Sequence, residues 1–364
     1  MDSSFTEKLL DWYRDNAREL PWRDHPDPYI VWISEVMLQQ TRIETVIPYF
    51  HRWINELPSI SSLASATQQT VLNLWEGLGY YSRARNLHQA AQVIVEKFDG
   101  QLPGDVKSLM KLPGIGRYTA AAITSIAFGK NEAALDGNIR RVLSRVFNVK
   151  EPIRSSQSEK ILWDIAEQNL PKGKAGDYNQ ALMDLGATIC TPKTPACKKC
   201  PVSSECLAYR FNIQEERPVR NPSKKTPHHI VTAAVILKKR KILIAQRPQK
   251  GLLGGLWEFP GGKQKPNEDL ISCLQREISE ELGVSVQVGK TLGIYNHAYT
   301  HFRVTLHAFL CALNGGKPEL KEHDSLYWAR VEELDGFPMG KIDRQIANDL
   351  KDHILQNHPE QKTT

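Results

Sequence analysis

The stretch LPGIGRYTAAAITSIA, residues 112–127, decides how the first half of the chain is interpreted. Pro113, Gly114 and Gly116 interrupt a helix, and a new helix begins almost at once. Glycines let a backbone pass close to a ligand, and the free amides at a helix start favour anions such as phosphate. The stretch predicts a helix–hairpin–helix that contacts phosphate, although an ordinary connection between two helices has the same pattern.

The sequence that follows the hairpin favours the first interpretation. ALDGNIRRVLSR, residues 134–145, places Asp136 just before a helix that carries Arg140, Arg141 and Arg145. Near the end of the same region, four cysteines follow the spacing C-x6-C-x2-C-x5-C: Cys190, Cys197, Cys200 and Cys206. Four thiolates at these spacings suit either a zinc ion or a [4Fe–4S] cluster. Such clustering does not fit a secreted disulfide framework.

Composition limits the class of protein. The chain has 364 residues, enough for two or three domains, and 41% of them are hydrophobic, so substantial cores are expected. No apolar run reaches membrane-spanning length, and the N-terminus is acidic and polar rather than signal-like. We therefore expect a soluble cytoplasmic protein without a membrane partner. The net charge of +6 is compatible with a polyanionic partner but does not establish one.

Changes in composition along the chain predict four segments. Residues 1–210 have helical periodicity, and residues 211–229 combine three prolines with many charges, which is typical of a linker. IVTAAVILKKRKILIAQR then predicts two strands joined by a basic turn, and VTLHAFLCAL predicts another strand. Residues 230–356 are therefore expected to form a mixed α/β domain, followed by a tail at 357–364.

The hairpin, the downstream aspartate and the cysteine spacing together resemble the helix–hairpin–helix DNA glycosylases of the endonuclease III superfamily. The resemblance covers residues 1–210. It implies an all-helical, two-lobed fold that holds DNA between its lobes, with Gly114 and Gly116 at the DNA backbone. It also implies a [4Fe–4S] cluster on the four cysteines, with a structural or DNA-sensing role.

Members of this superfamily that also cleave the DNA strand carry a lysine just after the hairpin, whose amine attacks the sugar carbon. This sequence has Tyr118 at that position. Because a phenol cannot form an imine, we expect strand-cleaving lyase activity to be weak or absent.

Two stretches narrow the resemblance further. PWRDHPDPYIVWISEVMLQQTRIETVIPYF, residues 21–50, and WEGLGYYSRARNLH, residues 75–88, resemble the MutY family of adenine DNA glycosylases. That family removes adenine misincorporated opposite 8-oxoguanine. The expected partner is therefore double-stranded DNA that contains this mispair, and we expect a monomeric protein of bacterial type that acts at the nucleoid. No motif identifies a replication or repair protein as a partner.

The expected catalytic residues follow from chemistry and from this resemblance. Glu35 is flanked by apolar residues, so desolvation should raise its pKa and keep it protonated near neutral pH, although a helical glutamate is often simply paired with an arginine. The resemblance assigns Glu35 to protonation of adenine N7. It assigns Asp136 to stabilising the cationic sugar, as paired acids do in glycosidases, although an aspartate there also suits a helix cap. Tyr118 and Asn138 match positions that line the site.

The target base must leave the duplex before it can react. By resemblance, Gln40 and Tyr80 enter the helix beside 8-oxoguanine, and core packing is the alternative for Tyr80. The remaining positions matched to DNA contacts in this half are Leu38 and Thr41 near the lesion, and Trp22 and Arg23 at the adenine pocket.

The second half contains the box G-x5-E-x7-R-E-U-x-E-E-x-G-U at residues 262–284, which is the Nudix signature. On a helix, Glu277, Glu280 and Glu281 gather on one side, and grouped carboxylates suit Mg²⁺ with a pyrophosphate. MutY proteins carry a Nudix-like domain that recognises 8-oxoguanine, and their box is commonly degenerate, whereas this box is intact. Both lesion recognition with a retained scaffold and Mg²⁺-dependent nucleotide hydrolysis therefore stay open.

HAYTHF, residues 297–302, resembles the MutY loop that touches 8-oxoguanine, with Tyr299, Thr300 and His301 at the expected positions. The sequence as a whole predicts a multidomain adenine DNA glycosylase with a Nudix-like recognition domain. Three rivals remain: an endonuclease III-like enzyme with another base specificity, a nucleotide hydrolase tethered to DNA, and a non-catalytic lesion-binding protein. Tyr118 and the second domain disfavour the first, and the pair Glu35 and Asp136 disfavours the other two.

Overall fold

The computed structural model describes residues 3–23, 27–221 and 226–357, which form two compact units. The first unit comprises residues 3–65 and 86–221, and the second comprises residues 66–85 and 226–357. None of the described helices has the length and apolar content that a membrane-spanning segment needs.

Two segments expected from the sequence lie partly outside these ranges. The predicted tail at 357–364 lies outside the described residues except for its first position, and the predicted linker at 211–229 includes residues 222–225, which also lie outside them.

The first unit is helical, as predicted. Its helices are α1 (Ser3–Asn16), α2 (Pro28–Leu38), α3 (Ile43–Glu56), α4 (Ile60–Ser65), α6 (Ser82–Lys97), α7 (Val106–Leu109), α8 (Arg117–Ala127), α9 (Gly137–Val146), α10 (Ser156–Gln168), α11 (Ala175–Thr188) and α12 (Leu207–Arg210), with a 3₁₀ turn at Cys197–Lys199. Several of them begin at a side chain that accepts a hydrogen bond from a free amide: Asp27 before α2, Asp105 before α7, Asp136 before α9 and Ser155 before α10. Helix α5 (Gln68–Trp75) and the first four residues of α6 lie in the second unit.

One core holds α1, α8, α9 and α11 of the first unit together. Leu9, Ala122, Ile139, Leu143 and Leu182 are all essentially inaccessible to solvent there. Removing a buried leucine side chain from such a core typically costs about 2–5 kcal/mol. This packing fixes the start of α9, and therefore Asp136, relative to the start of α8.

Helices α7 and α8 form the predicted helix–hairpin–helix. Gly114 has φ +76°, and a Cβ at this position would lie 2.6 Å from the Cβ of Asn86. Gly116 is the N-cap of α8. Gly114 is therefore required both by the left-handed backbone and by the close approach of α6.

Residues 217–221 of the predicted linker pack on the first unit, whereas its last two residues, 228 and 229, begin the first strand of the second unit. The amide of Ile153 donates to Val219 O at 2.9 Å, and Arg145 Nε donates to Arg217 O at 3.0 Å. The amide of Arg154 donates to Asn221 Oδ1 at 3.2 Å. Residues 217–221 are thus held in place rather than extended freely.

The second unit is built on a six-stranded mixed sheet. Its strands are β1 (His228–Lys238), β2 (Lys241–Gln246), β3 (Trp257–Glu258), β4 (Val286–Ala298), β5 (Arg303–Leu313) and β6 (Ser325–Ala329). Their order in the sheet is β3-β2-β1-β5-β4, and β6 also pairs with β2. Strands β1 and β5 are parallel, and the other pairs are antiparallel. The predicted strands and their basic turn are present: Lys239 and Arg240 join β1 to β2, with φ +47° and +63°.

A helix covers each face of this sheet. Helix α13 (Leu270–Leu282) packs an apolar stripe of Leu274, Ile278 and Leu282 against one face, where all three are fully buried. Helix α14 (Lys341–Asn357) packs against the other face and follows a 3₁₀ turn at Val331–Gly336. The result is the α/β architecture expected of a Nudix-like domain.

Residues 66–85 join the second unit although they belong to the stretch that the sequence grouped with the helical half. Gln69 and Asn73 of α5 both donate to Gly336 O, at 3.2 and 3.1 Å. Glu76 accepts hydrogen bonds from Arg344 Nε at 2.6 Å and from the amide of Met339 at 3.0 Å. These contacts place Tyr80 beside the loop that carries Thr300.

Candidate active site

A cavity of 790 Å³ opens in the first unit where α2 ends and where α8 and α9 begin. It brings together most of the catalytic and DNA-binding residues predicted for this half of the chain. Those that line it are Trp22, Arg23, Glu35, Leu38, Gln40, Thr41, Tyr118, Asp136 and Asn138. Gly114 and Gly116 lie in the hairpin and do not line this cavity.

Glu35 is buried on α2, with 6% of its surface exposed. Burial raises the pKa of Glu35 to about 7, an effect opposed by a hydrogen bond from Tyr118 Oη and reinforced by the charge of Asp136. A carboxyl with this pKa is substantially protonated near neutral pH and can donate its proton. The arginine pairing considered from the sequence does not form, since no ion pair joins Glu35 to a cation among the described residues, although the positive charge of Arg23 lowers its pKa somewhat.

Asp136 is both a helix cap and a member of the site. Its Oδ1 accepts from the amide of Ile139 at 2.7 Å, and its Oδ2 accepts from Asn138 Nδ2 at 3.1 Å. Burial raises the pKa of Asp136, while these hydrogen bonds oppose the rise because they favour the carboxylate. The hydrogen bonds that make Asp136 the cap of α9 therefore also orient its carboxyl group in the cavity that contains Glu35.

Arg141 extends this network away from the cavity. Its Nη2 donates to Asn138 Oδ1 at 2.8 Å, and its Nε donates to Cys190 O at 2.8 Å. The backbone of Gly186 approaches so closely that a Cβ there would lie 2.7 Å from Asn138 Cβ. Asn138 is thus held from three sides, which fixes the amide that it presents to Asp136.

Asp184 is a functional candidate that the sequence interpretation missed. It is fully buried on α11 and accepts from Arg23 Nη1 and Nη2, at 2.7 and 2.8 Å, and from Arg18 Nε at 2.7 Å. Two guanidinium groups are thereby held at the wall of the cavity, with Arg23 also over the ring of Tyr13 at 5.6 Å. The sequence feature that could have indicated Asp184 is its position as the one carboxylate in the otherwise apolar helical stretch ALMDLGA, residues 181–187.

Trp22 and Gln40 differ in exposure. Trp22 is buried and packs edge-on against Phe50, with 5.2 Å between ring centroids. Gln40 is exposed, lies two residues beyond the end of α2 and has φ +58°, a left-handed conformation that is uncommon outside glycine. Backbone strain of this kind often marks a position held for function.

In the second unit, two residues predicted to read the lesion contact each other. The hydroxyl of Tyr80, at φ +49°, forms a hydrogen bond with Thr300 Oγ1. Tyr80 is 43% exposed, so the core-packing alternative does not hold. Tyr299 stacks on Phe302 at 4.8 Å, and His301 is exposed at the tip of the β4–β5 hairpin. Tyr80, Tyr299, Thr300 and His301 therefore all belong to the second unit, whereas Leu38, Gln40 and Thr41 line the cavity of the first.

The four cysteines of the spacing motif line one small pocket with apolar neighbours such as Val142 and Leu185. Arg145, which is buried, donates from Nη1 to Cys190 Sγ at 3.3 Å. Burial raises the pKa of Cys200 to about 12. Among the described residues, no three histidine, cysteine or carboxylate side chains are arranged to hold a metal ion.

The side chains of the Nudix box on α13, which lies wholly within the described residues, are likewise not arranged to hold a metal ion. Arg276 forms ion pairs with Glu277 at 2.8 Å, with Glu280 at 3.0 Å and with Glu268 at 2.7 Å. Glu281 points elsewhere, and its Oε2 accepts from the amide of Gly261 at 3.1 Å. The three glutamates expected to bind Mg²⁺ are thus divided between an arginine and a backbone amide.

Comparison with known proteins finds one family model in each half of the sequence. The model of the HhH-GPD superfamily of base excision DNA repair proteins matches residues 33–168, and the NUDIX domain model matches residues 232–349. The adenine DNA glycosylase of Homo sapiens is 36% identical over 389 residues, covering 91% of this chain and 71% of that protein. The adenine DNA glycosylase of Buchnera aphidicola subsp. Acyrthosiphon pisum is 33% identical over 352 residues, covering 96% of this chain and 99% of that protein.

Among solved structures, a thermostable thymine-DNA glycosylase aligns with a TM-score of 0.52 and 31% identity, over 57% of this chain and 95% of that one. The aligned part of this chain is about as long as its helical half. The similarities to the human and Buchnera proteins run through both the helical and the Nudix regions, which separates this chain from enzymes that have the helical half alone. The chain therefore belongs to the adenine DNA glycosylase family, DNA N-glycosylases of the HhH-GPD superfamily of base excision repair proteins.

Proposed function

We propose that this protein hydrolyses the N-glycosidic bond of adenine in duplex DNA, and that adenine opposite 8-oxoguanine is its preferred substrate. One observation carries the proposal: Glu35, a buried carboxyl with a pKa of about 7, shares a cavity with Asp136, the carboxylate that caps α9. Two carboxyl groups in different environments can act in one reaction, one as a general acid and the other as an anion that stabilises positive charge.

Glu35 acts first in this proposal. Adenine leaves poorly as an anion, so its departure requires a proton on a ring nitrogen. Glu35 transfers its proton to N7, and the electron pair of the C1′–N9 bond moves onto the base. A general acid of this kind typically contributes a factor of about 10²–10⁴ to the rate. The hydrogen bond from Tyr118 stabilises the glutamate anion that remains.

Asp136 acts on the sugar. As the C1′–N9 bond stretches, positive charge develops at C1′, and a carboxylate beside it stabilises that charge. The amide of Ile139 and the side chain of Asn138 orient the carboxylate and favour its ionised form, against the effect of burial on its pKa. Water then adds to C1′ and loses a proton, which leaves an abasic site and free adenine.

Tyr118 determines whether the DNA strand is cleaved after adenine has left. It occupies the position where strand-cleaving relatives carry a lysine, and its phenol offers no amine to form a Schiff base with the abasic sugar. We therefore propose a monofunctional enzyme that leaves the strand intact.

The second unit supplies recognition of the opposite base in this proposal. Tyr80 and Thr300 form one hydrogen-bonded pair on its surface, with His301 exposed beside them. An intact Nudix box also raises nucleotide hydrolysis as a second activity, but Glu277 and Glu280 are both ion-paired to Arg276. We propose that the box is a retained scaffold. Release of 8-oxo-dGMP from 8-oxo-dGTP by the full chain with Mg²⁺, lost in Glu280→Gln, would contradict this.

We also propose that Cys190, Cys197, Cys200 and Cys206 hold a [4Fe–4S] cluster. A cluster is wider than one metal ion and takes one thiolate at each iron, and four thiols around a common pocket suit this arrangement. When bound, it would tie the loop at 190–206 to α9 through Arg141 and Arg145. Iron and acid-labile sulfide in equal amounts, without zinc, are expected in the purified protein.

A denaturing gel tests the central proposal. The substrates are labelled duplexes with adenine opposite 8-oxoguanine, guanine or thymine, each run with and without alkali. We expect strand breaks only after alkali, fastest for the 8-oxoguanine duplex and undetectable for the thymine duplex. Efficient breakage without alkali, with borohydride trapping through a native lysine, would refute the monofunctional mechanism. Equal rates for all three duplexes would refute the lesion preference.

A further inference from the structure

A second concave surface of the first unit lies beside the active-site cavity and takes no part in the reaction above. It is a cavity of 540 Å³, which we call the arginine trough. Positive charges outnumber negative ones by five to one among its lining residues. The charged residues are Arg140, Arg141, Arg154, Arg217, Arg220 and Glu159.

Three of these arginines are engaged within the protein. Arg140 forms a two-point ion pair with Glu159. Arg141 donates to Asn138 and to backbone carbonyls, and Arg217 Nε donates to Asn148 Oδ1 at 2.8 Å. Their roles in the trough are therefore largely structural.

The other two are available to a ligand. Arg154 and Arg220 are exposed, and in the part of the chain that the structure describes neither has an ion-pair partner. The backbone around them is fixed, since Ile153 bonds to Val219 and Arg154 bonds to Asn221. Arg154 and Arg220, which have no ion-pair partner among the described residues, therefore extend from fixed backbone at the edge of one cavity.

The trough is continuous with the active site. Gly137 and Arg140 line both cavities, and Gly137 directly follows Asp136. A nucleotide whose C1′ lies at Asp136 has phosphodiester groups on both sides within the same strand. Guanidinium groups bind phosphate oxygens through paired hydrogen bonds and remain charged at any physiological pH.

We propose that the arginine trough binds a phosphodiester of the strand that carries the target adenine, close to that nucleotide, through Arg154 and Arg220. This inference rests on the proposed function, because it places the target sugar at Asp136. An acidic segment of another protein is the alternative occupant, and the test distinguishes it from DNA.

The test compares Arg154→Gln with Arg220→Gln against a matched control, Lys130→Gln with Lys172→Gln. The control removes two exposed cations that do not line the trough. All proteins carry Glu35→Gln, so that binding to the 8-oxoguanine–adenine duplex is measured without turnover. We expect the trough variant to bind about tenfold more weakly than the parent. The slope of log K against log salt should fall by about 0.9 for each lost phosphate contact.

Neutral methylphosphonate linkages placed one at a time beside the adenine locate the contact. One or two positions should weaken binding by the parent and the lysine control but have no effect on the trough variant. If affinity, salt slope and methylphosphonate penalties are the same in all three, the proposal is overturned and DNA is not the occupant. Unchanged thermal unfolding verifies that the variants fold. Failure of the proposed function would look different, since the chain without Glu35→Gln would then not excise adenine from this duplex.

Discussion

At the scale of single residues, the proposed chemistry depends on how the surroundings of two carboxyl groups affect their protonation. Glu35 lies among apolar side chains with one hydroxyl donor, and Asp136 sits at a helix start with an amide and a side-chain donor. Burial raises the pKa of both groups, but Asp136 accepts two hydrogen bonds that favour its anion, whereas Glu35 accepts one from Tyr118. This contrast follows from local sequence, since one residue lies within an apolar helix and the other just before one.

Conservative amide substitutions should therefore separate chemistry from binding. Glu35→Gln and Asp136→Asn keep shape but remove the proton donor and the anion, and each should slow single-turnover excision by roughly 100- to 10,000-fold. Duplex affinity should change little. Single-turnover rates under saturating enzyme and equilibrium binding measure the two effects, and a near-normal rate in either variant would remove that residue from the mechanism.

Tyr118 offers a finer test because its hydrogen bond lowers the pKa of Glu35. Tyr118→Phe removes that donor while keeping the ring, so the pKa of Glu35 should rise further. The pH above which excision slows should move upward relative to wild type. An unchanged or lowered midpoint in the pH–rate profile would show that the phenol does not tune the acid.

At the scale of elements, much of the fold was predictable. The hairpin at 112–116, the strands on either side of the Lys239–Arg240 turn and the apolar stripe of α13 all carry strong local signals, and the structure contains each of them. The buried network of Asp184 was not predictable, because its arginines come from residues more than 160 positions away. The assignment of residues 66–85 to the second unit also depends on long-range contacts, such as Glu76 with Arg344.

The β4–β5 hairpin should determine preference for the opposite base. Thr300→Ala combined with His301→Ala removes the hydroxyl bonded to Tyr80 and an exposed imidazole. The ratio of excision rates for 8-oxoguanine and guanine duplexes should fall by about tenfold, with the guanine rate little changed. Tyr80→Phe, which loses the same hydrogen bond from the other side, should shift the ratio in the same direction. Unchanged ratios in both variants would exclude this loop from lesion reading.

Helix α14 carries a carboxyl whose titration should be visible in stability. Burial and the charge of Glu258 raise the pKa of Asp343 from 3.8 to about 7, with Arg247 and the amide of Phe259 opposing the rise. The folded chain therefore holds a proton that the unfolded chain releases, so its stabilising effect is full below about pH 4 and is lost as pH rises toward 7.

Asp343→Asn should remove this contribution, which is on the order of a few kcal/mol. Between pH 4 and 7, wild-type unfolding should become easier relative to the variant, and above pH 7 the variant should be at least as stable. Thermal unfolding of both proteins across this range measures the difference, and parallel curves would contradict the assignment.

At the scale of the whole molecule, the proposed function divides excision and recognition between two units whose sequences interleave. Residues 66–85 lie inside the helical half of the sequence yet belong to the unit that carries Thr300. The central claim is that a protonated Glu35 in the first unit drives the release of adenine.

The most direct measurement is the single-turnover excision rate of the wild-type chain on the 8-oxoguanine–adenine duplex, from pH 5 to pH 9 at constant ionic strength. The rate should fall as pH rises through about 7, in step with the loss of the proton from Glu35. A rate that stays constant or rises across this range would contradict the account, because the reactive form of the enzyme would then carry no proton on that carboxyl.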